Sequence, residues 1–469
     1  MASLNYTELD AHLRHAPSDR RAVVIGASIA GLLAARVLAD RYDEVILLDR
    51  GDLPDANQHR KATPQSHHAH ALLARGLMAL EELFPGITDE CVAQGGVRAD
   101  MHSGVAFYAG GQRFAQHASG IDCIAVGRVV IEGAVRRRVL ALARVRACPF
   151  VEVRGLLASG DSTRVAGVEV RPIPTGAALK VCAALVVDAG GRSSRLPQWL
   201  NSLGYASAME ERVRVDVCYS TAYLKRGPTP AAGMFGAVCA PDRSHRRIGV
   251  MLGQEDGRWV VTLGGYRNDS PPLARDAFTH RAQQMGREVA EVVRTAEFIG
   301  APMGYRFSHG ERRHYQRLGR FPNGLLAIGD AICSLNPIHG QGMSVAACEA
   351  LALRDCLADG ERGLAKRYFR KVSRVVDAAW NTAVGTDLAI DTVEGRRSIA
   401  GSLVNRYLGL VVKAAAHDPV VARAFLQVAH LLAQPPSLIW PAVVARVLYT
   451  LWRHRRRGEA APSSARAVG

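Results

Sequence analysis
The chain has 469 residues, 48% of them apolar, and a formal charge of +16, a composition that supports a large folded core and excludes a disordered or fibrous chain. Its nine cysteines form no C-x-x-C pair and no framework spacing, so they read as buried, reduced thiols of a cytoplasmic protein. The N-terminal stretch MASLNYTELDAHLRHAPSDRR lacks the apolar run of a secretory signal.

The first predicted strand runs into a glycine turn, VVIGASIAG over Val23–Gly31, followed by a helix over Leu32–Asp40 and a second apolar run, VILLD, closing at Asp49. Gly26, Ser28 and Gly31 stand at G-x-S-x-x-G spacing. That spacing lets a chain turn sharply and bring backbone N–H groups against a pyrophosphate. Gly31 allows the helix to pack closely on the sheet, and serine at the second position requires its side chain to point away from the phosphates. Asp49 sits where a ribose-binding carboxylate is expected, roughly 20 residues on. These elements together predict a dinucleotide site.

Further along, RKATPQSHHAHALLARG (Arg60–Gly76) offers Arg60 and Lys61 as charge near a pyrophosphate, and Pro64-Gln65 breaks the chain before a helix. His67, His68 and His70 lack the i, i+4 spacing of a helical metal face, so no metal is expected. They read as packing around a substrate channel or capping the helix. Arg128 opens a helix in AVGRVVIEGAVRRRV, where apolar positions recur at three- and four-residue spacing. Strands follow at Phe150–Gly160 and Ala184–Val187, the latter running into DAGGRSSRLPQWL from Asp188.

From Arg214 to about Gly300 the pattern alternates with period two, and Gly-Gln-Glu-Asp-Gly interrupts it as a tight connection between antiparallel strands. Within FPNGLLAIGDAICSLNPIHGQGMSVAACEALAL (Phe321–Leu353), Leu325–Ile328 reads as a buried strand, Gly329-Asp330 as its end, and Met343–Leu357 as a helix with a glycine-rich entry. A strand-end carboxylate can hold a polyol chain, and an uncapped helix N-terminus offers N–H groups to an electron-rich acceptor. Those are the needs of a ribityl chain and a flavin ring, so the dinucleotide is FAD rather than NAD.

These motifs resemble the FAD-dependent monooxygenases of the aromatic-hydroxylase and squalene-epoxidase type. The second fingerprint is similar to G-D-A…P…G-x-G-M, present as Gly329, Asp330, Ala331, Pro337, Gly340, Gly342 and Met343, and Asp188–Pro197 is similar to D-A-T-G-R-x-S-R-L-P. The 60–76 segment resembles R-x-G-V-P-Q…H-x-H-x-L-L-x-x-G of bacterial polyene epoxidases of polyether pathways, with Ala62 and Thr63 replacing the G-V pair. The resemblance implies FAD contacts at Gly26, Ser28, Ala30, Gly31, Asp49, Arg50, Arg60, Lys61, Arg128, Val153, Asp330, Pro337, Gly340, Gly342 and Met343. Arg128 would lie beside the flavin and the backbone near Val153 at the adenine edge, with Arg192 supporting the site.

It further implies an α/β fold: a Rossmann-like FAD-binding domain over 20–213 and 301–397, interleaved with an antiparallel substrate sheet over 214–300. Some strands of that sheet are expected within 77–125, helices over 398–457, and flexible ends over 1–19 and 458–469. By alternation, Tyr219, Tyr223, Met251, Trp259 and Tyr266 are candidate pocket residues, set against the alternative of plain core packing.

The activity implied is insertion of one oxygen atom from O2, through a flavin hydroperoxide, into a hydrophobic alkene or aromatic secondary metabolite. His339 is the titratable side chain of the 337–342 loop and a candidate proton donor, with a structural role as the alternative. Asp188-Ala189-Gly190 differs from the D-G-x-x-S motif tied to NADPH use, so electrons from NAD(P)H arrive directly or through a separate flavin or ferredoxin reductase. A reductase or dehydrogenase of the geranylgeranyl-reductase type shares the scaffold and is the alternative reading. A flavin halogenase is disfavoured because no W-x-W-x-I-P segment occurs. A flavin-bound partner without catalysis is disfavoured because both fingerprints are intact.

In the tail, Trp440, Leu448, Tyr449 and Trp452 lie near Arg453, Arg455, Arg456 and Arg457, and Pro441 and Arg446 interrupt the apolar run. A spanning helix is not expected. A lid over the pocket and an interfacial helix at a membrane are the two readings. The positive charge suits anionic membranes or an acidic carrier, and no nucleic-acid module is visible.

Overall fold
The computed structural model describes residues 4–13, 19–54, 57–61, 63–227, 234–242, 246–267, 269–395, 397 and 399–459. Ala62, parts of the N-terminal end (1–3 and 14–18) and residues 460–469 of the expected flexible ends lie outside them.

Five short Val/Ile/Leu runs, buried on both faces, make a parallel sheet. Its order is Leu325–Ala327, Leu185–Asp188, Arg21–Ile25, Glu44–Leu48, Val145–Cys148. The order sets the second-fingerprint strand one strand away from the first, with Leu185–Asp188 between them, although the chain makes a long excursion in sequence. After Asp188 the chain leaves this sheet and returns to its edge only at Leu325. The helices Ile29–Leu38 and Gly342–Ala358 pack together on it, and both contribute buried leucines and alanines to the main core.

The excursion supplies five strands of an eight-stranded sheet, in order Cys333–Ser334, Phe298–Arg313, Glu210–Lys225, Arg258–Tyr266, Arg247–Gln254, Gly236–Cys239, Val105–Ala109, Gln112–Arg113. All pairs are antiparallel except Gly236–Cys239 with Val105–Ala109. The sheet thus reaches past both ends of the 214–300 segment and takes in strands from before residue 125. The 255–257 turn joins Arg247–Gln254 to Arg258–Tyr266, with Gly257 at φ +58°.

One face of this sheet is closed by the helices Arg275–Ala282 and Arg287–Thr295. Beyond the 26-residue helix Leu364–Ala389, the helices Ile399–Ala415, Pro419–Ala429 and Pro441–Glu459 share a core with Phe107 and Phe114 at the far edge of the sheet. All nine cysteines are unpaired. Seven are buried as expected, but Cys182, on the edge strand Leu179–Cys182, is exposed and Cys218 is half-buried.

Candidate functional site
The turn after Arg21–Ile25 depends on its two glycines. Gly26 has φ +99°, and a Cβ there would lie 2.5 Å from the Ala189 carbonyl oxygen. A Cβ on Gly31 would lie 1.8 Å from the Gly26 carbonyl oxygen, so only glycine lets the helix start this close to the turn. Ala30 lies in the first turn of the helix Ile29–Leu38.

Asp49 is tied into the same turn. Its Oδ2 accepts the Ala27 N–H at 2.7 Å, and its Oδ1 accepts the Gly51 N–H and Arg60 Nη2, each at 2.8 Å. Arg60 is buried and also donates to the Ala27 carbonyl at 3.0 Å, whereas Arg50 and Lys61 are exposed. The Val151 N–H donates to the Asp49 carbonyl, and Val153 stands two residues further along the same strand.

Ser28 points away from the turn mouth. Its hydroxyl donates to Glu132 Oε2 at 3.1 Å and accepts Arg128 Nη2 at 2.8 Å. Glu132 is buried and pairs with Arg60, Arg128 and Arg136, so one carboxylate gathers three guanidiniums beneath the turn. It belongs to no motif, and its i, i+4 relations to Arg128 and Arg136 are the signal that could have found it.

The second fingerprint forms the opposite wall. Asp330 lines a cleft: its surface is open to solvent, yet protein crowds it closely enough that desolvation raises its carboxyl pKa, an effect opposed by the charges of Arg128 and Arg192. Arg192 lies over the Phe307 ring at 4.5 Å. Asp188 turns inward instead, accepting the Gly190 N–H and the Ser194 hydroxyl, and so shapes the 188–194 turn rather than facing the cleft.

Gly340 has φ +62°, and a Cβ on Gly340 or Gly342 would meet no protein atom within 4 Å. The helix that follows has no side-chain N-cap. Pro337 is exposed and Met343 buried. Beneath the loop, the Gly329 N–H donates to Glu349 Oε2 at 2.5 Å, and burial pushes the Glu349 carboxyl up to about 8.

These residues fit FAD. The glycines at 340 and 342 face open space, Asp330 is exposed, and Arg60 Nε and Gln341 Oε1 are buried without a partner among the described residues.

The candidate pocket residues divide by face. Tyr219, Tyr223 and Tyr266 lie on the side that meets the 67–70 and 336–339 segments: Tyr219 donates to Asn336 Oδ1 at 3.2 Å and Tyr223 to the His67 carbonyl at 2.9 Å. Met251 and Trp259 are corrected. Their side chains project to the opposite face, where Phe278, Ala282 and Val289 bury them, because pairing Met251 with Val261 and Trp259 with Leu224 sets them out of phase with Tyr219. Tyr305, opposite Tyr219, was missed. It stacks beside Tyr219 at 6.3 Å, lies 5.1 Å from the His68 ring, and feels the charges of Arg192, Asp330 and Arg128.

His68 caps the end of the short 3-10 helix Pro64–His67, its N–H donating to the Gln65 carbonyl at 3.2 Å. Its Nδ1 meets Thr221 Oγ1 at 2.7 Å, and burial lowers its pKa to about 4, which keeps the ring neutral. His339 Nε2 lies 3.3 Å from Asp387 Oδ1, and the same buried oxygen accepts Tyr266 Oη at 2.8 Å and Asn336 Nδ2 at 2.9 Å. Among the described residues, no group of three or more His, Cys, Asp or Glu could hold a metal ion.

No protein-family model matches the chain. The flavin-dependent brominase Bmp2 superposes with a TM-score of 0.65 at 14% identity, covering 93% of this chain and 99% of that one. A flavoprotein/dehydrogenase from Cytophaga hutchinsonii gives 0.64 at 16%, covering 94% and 100%. The p-nitrophenol 4-monooxygenase PnpA from Pseudomonas putida gives 0.62 at 16%, covering 88% and 99%. The chain therefore shares the fold of these flavin enzymes. Protein Rv3254 of Mycobacterium tuberculosis is 33% identical over 437 residues, spanning 88% of this chain and 89% of its own length, and the chain belongs to the family of that mycobacterial protein.

Proposed function
We propose that the protein is an FAD-dependent monooxygenase that places one oxygen atom of O2 into a hydrophobic alkene or aromatic secondary metabolite, by epoxidation or hydroxylation. The observation that carries this reading is the meeting of three parts around Tyr305. Asp330 of the second fingerprint and Arg128, which opens the helix Arg128–Leu140, act on its hydroxyl, and the Tyr219 and His68 rings adjoin it.

Bound and reduced, FAD would supply the activation of O2. The residues of the chain would do the rest. The 26–31 turn, Asp49 and Arg60 would hold the diphosphate and ribose end, Asp330 the ribityl chain, and Arg128 would lie beside the flavin. The N–H groups at Gly340–Met343 would meet the ring. Tyr219, Tyr305 and neutral His68 would give the substrate a face with few charges, which keeps water from the reacting atoms. Asp387 would hold His339 in place on the 337–342 loop. Oxygen transfer to an alkene needs no further acid or base. In this reading, the parallel sheet with 20–213 and 301–397 serves the cofactor and the 214–300 strands serve the substrate.

The test is to reduce the FAD-loaded protein without oxygen, mix it with oxygenated buffer and follow flavin absorbance. A transient before the oxidised spectrum returns supports oxygen transfer. A direct return, with an alkene substrate reduced in step, would favour the reductase reading. For the electron source we propose a separate reductase, because Asp188 is turned into its own loop in a motif unlike the NADPH-linked one. Anaerobic stopped-flow should show slow reduction by NADPH alone and faster reduction with a flavin or ferredoxin reductase. Rapid bleaching by NADPH alone would overturn that part.

A further inference from the structure
Eleven of the eighteen large apolar side chains exposed among the described residues lie between Ile399 and Trp452. They are not scattered. On Ile399–Ala415, the exposed Ile399, Leu403 and Leu410 recur at helical spacing, with Arg406 and Lys413 on the same side. On Pro441–Glu459, Ala445, Leu448, Tyr449 and Trp452 do the same, and Trp440 precedes them. The opposite sides of both helices are buried in one cluster, through Val411, Ala414, Ala415 and Val447, so both stripes face away from the body of the protein. Trp440 is 63% exposed and Trp452 50%.

The charge of this region is strongly positive. Residues 399–459 carry eight Lys and Arg against two acids, Asp418 and Glu459. Asp418 is buried and satisfied by Arg446 at 2.5 Å, Thr450 Oγ1 at 2.8 Å and the Val420 N–H at 2.9 Å, so it takes no part in the outer surface. Arg456 lies over the Trp452 ring at 4.4 Å, and Tyr449 adjoins that ring at 6.1 Å. Monomeric proteins rarely expose a contiguous apolar patch beyond a few hundred Å². Tryptophan and tyrosine beside arginine suit the headgroup level of a bilayer, where the ring sits in the apolar boundary and the guanidinium meets phosphate. Among the described residues no helix is long and apolar enough to cross a membrane.

We infer that the outer face of the helices Ile399–Ala415 and Pro441–Glu459, with Trp440, is a docking surface for an anionic lipid membrane, on which the protein lies without spanning it. The inference stands apart from the flavin chemistry and can fail or hold independently of it.

The experiment is co-sedimentation of the full chain with phosphatidylcholine vesicles, with and without one third phosphatidylglycerol, over a salt series. We expect pelleting with the anionic vesicles that weakens as salt rises. Tryptophan emission should shift to the blue as well, because Trp199, Trp259 and Trp380 are already buried and only Trp440 and Trp452 are free to change environment. Replacing Trp440, Leu448 and Trp452 by serine should remove the shift and weaken binding at least about tenfold. Replacing Arg453, Arg455 and Arg456 by glutamine should cost on the order of a hundredfold at low salt and flatten the salt dependence. All six side chains are exposed, so both variants should melt like the parent. Absence of binding to either vesicle, or equal binding by parent and variants, would overturn the inference. So would sedimentation velocity showing a dimer that the serine variant dissolves, with no vesicle binding, since a second copy would then be what covers this face.

Discussion

Tyr266 donates its hydroxyl to Asp387 Oδ1 at 2.8 Å, joining the eight-stranded sheet to the long helix Leu364–Ala389 beneath the 336–339 loop. Both residues are buried, and Asn336 and His339 meet the same oxygen. The 337–342 loop is therefore held from below by a carboxylate that no motif contains.

Tyr266→Phe removes one of three donors, and Asp387→Ala leaves the Tyr266 hydroxyl and Asn336 amide without their acceptor. An unsatisfied buried polar group costs about 1–3 kcal/mol, so the alanine variant should lose more stability than the phenylalanine variant. Their double mutant should lose less than the sum. Thermal unfolding of the four proteins checks it, and strict additivity would show that the two residues do not act as a unit.

Gly31→Ala should lose FAD. The added Cβ meets a backbone oxygen at 1.8 Å, which no side-chain rotation relieves, so the turn must open and its N–H groups lose their common direction. Gly409→Ala is the control: its Cβ would meet nothing within 4 Å on an exposed helix and should add up to about 1 kcal/mol of helix stability. The flavin-to-protein absorbance ratio after gel filtration reads the first effect and thermal unfolding the second. Full flavin retention in Gly31→Ala would remove the 26–31 turn from the cofactor site.

Asp330→Ala and Asp49→Ala should separate cofactor binding from folding. Among the described residues the hydrogen-bond partner of the Asp330 carboxylate is Ser334 Oγ, at 3.4 Å, so its loss should weaken FAD while leaving the apoprotein melting temperature nearly unchanged. Asp49 accepts two backbone N–H groups and Arg60, so its loss should lower both flavin affinity and apoprotein stability, the latter by about 1–3 kcal/mol. Equal melting losses in the two apoproteins would contradict this division.

What the sequence disclosed and what it withheld follow from the range of the contacts. Gly31 makes room for the Gly26 carbonyl, and Gly26 and Gly340 hold positive φ, needs that a strand–turn–helix segment states locally, whereas the approach of the Ala189 carbonyl to Gly26 comes from a distant strand. The face of a strand is a different matter. Period-two alternation shows that Met251 and Tyr219 belong to half-buried strands, but their phase is set by pairing with distant segments, and helices recruited from 275–295 bury one side as fully as the cleft engages the other. Glu132, Tyr305 and Asp387 escaped for the same reason, since each works through residues far off in sequence or on another element.

Glu349 supplies a prediction in pH. Its carboxyl is raised from 4.5 to about 8 by burial, with the neighbouring Asp330 adding and the Gly329 N–H opposing. Between these values the folded protein holds a proton that the unfolded chain releases. The contribution of Glu349 to stability is thus fully present below about pH 4.5, falls as pH rises towards 8, and changes no further above it. The slope in that window is at most about 1.4 kcal/mol per pH unit. Glu349→Gln keeps an oxygen for the Gly329 N–H and cannot ionise, so the difference in unfolding free energy between the parent and this variant isolates the one group. We expect the parent to lose stability relative to the glutamine variant as pH rises from 5 to 8, read by urea unfolding at several pH values. A difference that stays constant over this range would show that Glu349 does not carry its proton into the neutral region, and that its second oxygen has a compensating partner.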